Sequence, residues 1–204
     1  MGFDGDGSNR PISIEKRSTE GRKIMWKKTS ANFIRLTGFV ILAVLLLSLQ
    51  VQAEDRPIQL SLVNPIQIFP ETDSVKGLRF NLIYGKNASL TGLDIGIANK
   101  LTGSGGGVQY GFVHLVDADF TGWQNGLVSI TKGKFQGLQE GAYSYVGDGV
   151  GVQWGFVNHA KHMNGLMFGV INYAVSMKGL QIGLVNIIRQ GGLLPVFPIV
   201  NWSF

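Results

Sequence analysis

The chain has 204 residues, about one domain's worth, with 29 glycines, charged residues at only 15% and no cysteine. These values exclude a disordered charged chain, a disulfide-stapled miniprotein and a thiolate metal centre, and collagen too, because glycine does not recur at every third residue. The net charge of +5 belongs mainly to the leader. Residues 1–53 hold eight Lys/Arg against four Asp/Glu and residues 54–204 hold ten against nine, so a nucleic-acid role loses its only support.

From Met25 the chain has the three-part layout of a secretory signal over residues 25–53. Lys27, Lys28 and Arg35 supply the basic start, Leu36 to Leu49 the apolar run, and Val51-Gln52-Ala53 the small residues read by a signal peptidase. The run is 14 residues long, shorter than the ~20 needed to span a bilayer as a helix. The expected cleavage follows Ala53; the other reading is a retained amino-terminal anchor. Residues 1–24 do not fit an export signal and read as an upstream extension, with translation expected to begin at Met25.

The remainder, 54–204, is one motif repeated. The octet Gly179-Leu180-Gln181-Ile182-Gly183-Leu184-Val185-Asn186 recurs with its first glycine at 165, 151, 137, 122, 107, 92 and 77, at intervals of 14 or 15. Looser copies begin at Pro57 and Leu194, giving ten in all. In an octet numbered 1 to 8, positions 2, 4 and 6 are apolar, as in Leu93, Ile95 and Ile97. Positions 1 and 5 are glycine, as in Gly92 and Gly96, Gly107 and Gly111, or Gly179 and Gly183. Position 3 is usually glutamine: Gln109, Gln124, Gln139, Gln153 and Gln181. An alternation of period two predicts a strand. Large apolar residues two before each first glycine (Phe120, Phe135, Met163, Met177) and just after the octet (Leu115, Ile130, Tyr145, Ile187) extend each predicted strand to about eleven residues.

Segments such as Asp117-Ala118-Asp119 and Lys132-Gly133-Lys134 have the composition of tight turns. Strands joined by such short turns should be antiparallel, because a parallel pair needs a longer crossover. The leading expectation is therefore all-β: a ten-stranded up-and-down meander closed into a small barrel, which removes its two edges. As an outer-membrane barrel it would turn positions 2, 4 and 6 to lipid and the glycines and glutamines inward. That apolar band is thin, about 13 Å against the ~25 Å expected of a membrane barrel, and Pro57, Pro65, Pro195 and Pro198 sit where the end strands would pair. The alternative is a parallel β-solenoid with coils of 14–15 residues, apolar positions inside, the glutamine face wet, and prolines capping both ends. A soluble barrel with the apolar face inward is a third option.

The carboxyl end, with Val196, Pro198, Val200, Trp202 and Phe204 in alternation, resembles the last strand of bacterial outer-membrane barrels. That resemblance implies an assembly signal at Trp202 and Phe204, with membrane lipid and the barrel-assembly machinery as partners. The whole of 54–204 resembles a family of bacterial surface-repeat proteins built from GLQxGLxN units. The family brings no established activity.

Chemistry is sparse. The three histidines, His114, His159 and His162, assemble no metal set by spacing, and no nucleophile elbow, zinc-protease or phosphate-loop motif occurs. Gly103-Ser104-Gly105-Gly106-Gly107 leads into a predicted strand and so reads as a turn. No catalytic residue, cofactor or metal is expected, and the glutamines are expected to satisfy one another. Two polar departures stand out. Asn125 and Glu140 occupy position 4 in neighbouring copies, marking either a protomer contact or a place where this face is not in lipid, and Arg79 and Asp94 replace glutamine at position 3, predicting an ion pair. The functional expectation is a non-enzymatic, exported outer-membrane or surface protein with a structural or interaction role. The alternative is a soluble or surface-attached solenoid binding module, in the periplasm or on the cell surface.

Overall fold

The computed structural model describes residues 54–204, and the expectations for 1–24 and 25–53 lie outside the described residues. The fold is all-β. Its strands are β1 (Asp55–Val63), β2 (Ile66–Gln67), β3 (Ser74–Asn87), β4 (Ser89–Leu101), β5 (Gly105–Val116), β6 (Phe120–Asn125), β7 (Val128–Gln190) and β8 (Val196–Ser203). They form one sheet in the order β2-β1-β3-β4-β5-β6-β7-β8.

The pairing is parallel from β1 through β7, each residue opposite its equivalent in the next repeat. Leu78 lies opposite Leu93, Leu93 opposite Val108, Val108 opposite Trp123, and Trp123 opposite Leu138. This is the stacking of a β-solenoid, and it replaces the expected antiparallel meander and barrel. The physical reason lies within each repeat. Positions 1 to 4 form one side of a flattened coil and positions 7 to 10 the other, so the eleven extended residues bend once at positions 5 and 6 and return beneath themselves. The repeat is thus a whole turn of the coil, with its crossover made of strand. β7 shows this directly: its 63 residues pass through several coils without losing extended pairing.

The main chain of successive coils meets closely at both glycine positions. At position 1, Gly122 has φ +137°, and a Cβ there would run into the carbonyl oxygen of Gly107. At position 5, a Cβ on Gly111 would do the same to the oxygen of Gly96. Side chains are excluded at both places, by conformation and space at the first and by space at the second.

The apolar part of the core is a column two residues before each first glycine. Val75, Leu90, Phe120, Phe135, Met163 and Met177 are buried there, and Phe120 and Phe135 stack with ring centroids 6.2 Å apart. Glycines relieve the column where it would overfill, since a Cβ on Gly105 would press on the Phe120 ring and one on Gly149 on the Met163 sulfur. Across the coil this column meets the residues at position 10, among them Leu101, Val116, Val146 and Ile188.

Both ends break the parallel stacking. β2 turns back antiparallel on β1, with Ser61 opposite Gln67, and β8 lies antiparallel on the last coil, with Leu180 opposite Trp202 and Gln181 opposite Asn201. β8 is therefore a lid on the coil stack, and Phe204, 94% exposed, projects beyond it. Pro57, Pro65, Pro195 and Pro198 lie in these end segments, where a missing N–H discourages further strand addition.

Gly122→Ala should lower stability by roughly 3 kcal/mol or more, from a strained φ and a backbone clash together. Gly106→Ala, at a place where the next coil already carries Thr121, should stay within about 0.5 kcal/mol. Urea unfolding followed by circular dichroism measures both.

Candidate functional site

The residues singled out by the repeat pattern divide between the inside of the coil and its outside, in the reverse of the arrangement expected for a solenoid. Position 3 points inward and is fully buried in Gln59, Arg79, Asp94, Gln109, Gln124 and Gln139. Positions 2, 4 and 6 point outward. This half of the coil is filled by flat amides that bond to one another.

These amides form a column. The Nε2 of Gln124 donates to Oε1 of Gln109 at 2.6 Å, Gln139 to Gln124 at 2.9 Å, and Gln153 to Gln139 at 2.9 Å. Gln139, Gln153 and Gln181 also reach across the coil to the carbonyls of Tyr145, His159 and Ile187. At the carboxyl-terminal end Met167 takes position 3, so Gln181 meets the Met167 sulfur at 3.3 Å and the Oε1 of Gln153 is left without a partner. Position 8 takes over there: Asn158 donates to Asn172 and Asn172 to Asn186, each at 2.8 Å.

Arg79 and Asp94 sit directly opposite each other, a consequence of parallel register. Both are fully buried. Arg79 donates from Nε to Oδ1 at 2.8 Å and from Nη2 to Oδ2 at 2.6 Å, a two-pronged pair. Its Nη1 also donates to the Asn87 side chain and the Lys100 carbonyl. Asp94 accepts further bonds from Asn81 at 3.2 Å and Gln109 at 2.8 Å, so the glutamine column ends on its carboxylate.

His114 holds position 8 between Asn99 and Ser129 and is wholly buried. Its Nε2 bonds the Asn125 carbonyl at 2.9 Å, and the Asn99 amide donates to its Nδ1 at 3.2 Å. Burial holds its pKa below the ordinary histidine value, outweighing the Asn125 carbonyl and Asp94, which raise it. The other two histidines lie apart on the outside: His159 is in an edge-on aromatic stack between Tyr145 and Tyr173, 4.9 Å from each ring, and His162 bonds Ser176 at 2.7 Å. Among the described residues no group of three or more metal-ligating side chains is gathered.

Outside, position 6 forms an apolar ridge along the bend of the coil. Leu62, Ile97, Phe112, Leu127, Phe156 and Leu184 are each between 45% and 69% exposed. Beside it on one side lie Tyr110, Trp123 and Trp154, and on the other Val113, Val128 and Tyr143 from position 7. Six exposed aromatics alone (Phe80, Tyr110, Phe112, Trp123, Trp154, Phe156) present roughly 600 Å², at ~200 Å² for a whole ring side chain. That already matches the largest patch usual on a monomer, and the aliphatic residues add to it. At the amino-terminal end the surface deepens into an open groove of about 660 Å³ lined by Leu60, Leu62, Ile66, Ile68, Phe80 and Leu82. Asn125 and Glu140 interrupt this surface at one point, where Glu140 accepts bonds from the Trp123 indole at 2.8 Å and the Asn125 amide at 2.9 Å.

Comparison with protein-family models, curated proteins and solved structures finds no match for the chain. The apolar exterior is thus the candidate functional site, and the buried polar columns are its scaffold. The barrel expectation turns positions 2, 4 and 6 outward and the glutamines inward, as the structure does, whereas the solenoid alternative reverses them; neither foresees that the chain bends once within each repeat. The available signal was the pair of apolar residues at positions 6 and 7 (Phe112-Val113, Leu127-Val128, Phe156-Val157), which breaks the period-two phase at the bend.

Asp94→Asn should cost about 3–5 kcal/mol, because it strands a buried guanidinium, and adding Arg79→Gln should recover most of the loss by restoring an amide column. Chemical unfolding of the single and double variants provides the comparison. His114 gives a pH test. Folding favours its neutral form, so as pH falls through ~6.5 the unfolded chain takes up the proton first and stability declines. His114→Asn, the residue at position 8 in the Gly92 and Gly151 coils, should fold and should lose less of its urea midpoint between pH 7.5 and 5 than the parent does.

Proposed function

We propose that the chain is an exported, non-enzymatic β-solenoid that acts at the bacterial envelope as a surface-attached interaction module. The observation that carries this reading is the inversion of the coil. Polar side chains fill the inside of the coil beside the bend, where most bond to one another, and the large apolar side chains of positions 2, 4 and 6 lie outside, where only a partner removes them from water. The signal-like segment 25–53 and the resemblance of the repeats to bacterial surface proteins support the placement. An interaction role also agrees with the form of the surface, which offers extended apolar contact area.

An outer-membrane barrel at this location lacks support from the parallel register, so attachment is proposed through the solenoid exterior, with no closed barrel inserted in the membrane. The test is fractionation of the expressing bacterium with mass measurement of the recovered chain. The expected result is a chain beginning at Glu54 that sediments with the envelope and stays there through a high-salt wash. Recovery in the cytosol, or as a freely soluble periplasmic monomer, would reject the proposal.

A further inference from the structure

We infer that the apolar edge docks on the hydrocarbon of a lipid bilayer, with one acyl chain seated in the groove beside β2. This inference rests on the interaction-module reading and names its partner.

Three observations select lipid over a second protein. The first is shape. The apolar surface is not one flat side: it runs over the ridge at position 6 and continues onto both flanks, at positions 2 and 4 on one and 7 and 9 on the other. A second folded copy can cover a flank, but covering the ridge and both flanks requires a cleft as long as the rod. Fluid hydrocarbon conforms to a convex edge. The ridge has nine copies, from Leu62 to Leu184, and at ~4.8 Å per coil it is roughly 38 Å long.

The second is charge placement. Charged side chains gather on the edge opposite the ridge, where Lys161 and Arg189 are exposed. Glu140 is the one acid on the apolar flanks among the described residues, and its carboxylate is held by Trp123 and Asn125. Asp117 on the charged edge pairs with Lys132 and with Lys100, which reaches it from position 9. Lys134, Lys161, Lys178 and Arg189 have no carboxylate partner among the described residues, against two exposed acids, Asp119 and Asp148, that pair with no cation there, so the edge keeps a small positive excess. This surplus complements anionic headgroups. Dimensions agree: four or five extended residues separate the ridge from the charged edge, roughly 15 Å. A ridge immersed by about 10 Å leaves the cations in the headgroup layer.

The third is the groove. Its lining is mainly apolar, with Ser61, Gln67 and Asn81 as its polar residues, and it shares Leu62 and Leu82 with the ridge. Its volume falls in the range of small-ligand sites, yet it offers little to orient a polar molecule. An acyl chain entering from a bilayer already in contact with the ridge meets both conditions.

The test uses the full chain carrying Trp26→Phe, so that the remaining tryptophans, Trp123, Trp154 and Trp202, all lie in the solenoid. Vesicles of three parts phosphatidylethanolamine to one part phosphatidylglycerol are prepared with brominated or ordinary acyl chains, and indole emission is compared. Brominated chains should lower emission at least twofold. Leu82→Ser, Phe112→Ser, Phe156→Ser and Leu184→Ser combined should abolish the effect while circular dichroism still reports the β-fold. A second variant keeps the test decisive if that one does not fold: Leu45→Asp with Leu47→Asp disables the apolar leader and should leave the quenching intact. Absence of quenching in the parent, its persistence in the folded ridge variant, or its loss in the leader variant would each overturn the inference. A stable dimer that ignores vesicles and dissociates on ridge substitution would also overturn the lipid occupant, yet would leave the interaction module standing.

Discussion

Main chain packed on main chain at the two glycine positions is the constraint from which the rest of this molecule follows. Where Gly122 rests on Gly107 and Gly111 on Gly96, no Cβ can be accommodated, and successive coils stack main chain on main chain with each side chain over its equivalent in the next coil. What fits is a planar amide that both donates and accepts, repeated at the spacing of the coils, so that each side chain is the partner of the next. The glutamines are therefore not a solvent-facing ladder awaiting a ligand. They fill the inside of the coil, and the apolar residues of positions 2, 4 and 6 lie on its outside.

The sequence made the repeat, its length and its extended character legible, because interval and alternation are local properties. It also placed Arg79 near Asp94, since any stacking of neighbouring repeats brings their third positions together. Direction of pairing was harder. Gly133 between Lys132 and Lys134 looks like a hairpin turn, and nothing in those three residues reveals that the chain has already reversed once, at Gly126-Leu127. Which face is buried depends on the closure assumed: the barrel turns Leu93, Ile95 and Ile97 outward, as the structure does, whereas the solenoid alternative, following hydrophobicity, puts them in a core. The apolar doublets at the bend, such as Leu127-Val128, record the change of phase, but they carry meaning only once a bend is suspected.

An exterior of this kind changes what the ends of the molecule have to do. A solenoid with bare terminal coils would add further copies along its axis, and apolar sides would add them laterally. The axial route is closed by the β2 hairpin and by β8, with proline in both. Gln59 completes the amino-terminal closure by exchanging two hydrogen bonds with the Phe69 main chain, donating at 2.9 Å and accepting at 3.1 Å. Lateral contact is left open, in keeping with a surface that functions by being covered.

The glutamine column also has a direction. Each amide from Gln153 to Gln109 donates toward the amino-terminal end, so the side-chain dipoles add head to tail as peptide dipoles do along a helix. The donor end of that array abuts the Asp94 carboxylate, as a helix amino terminus abuts an acidic cap. The asparagine column, from Asn158 to Asn186, donates the opposite way. The core is thus electrically polarised in two opposed halves that meet in the Gly151 coil, and the buried anion stands at the pole where the longer array stabilises it.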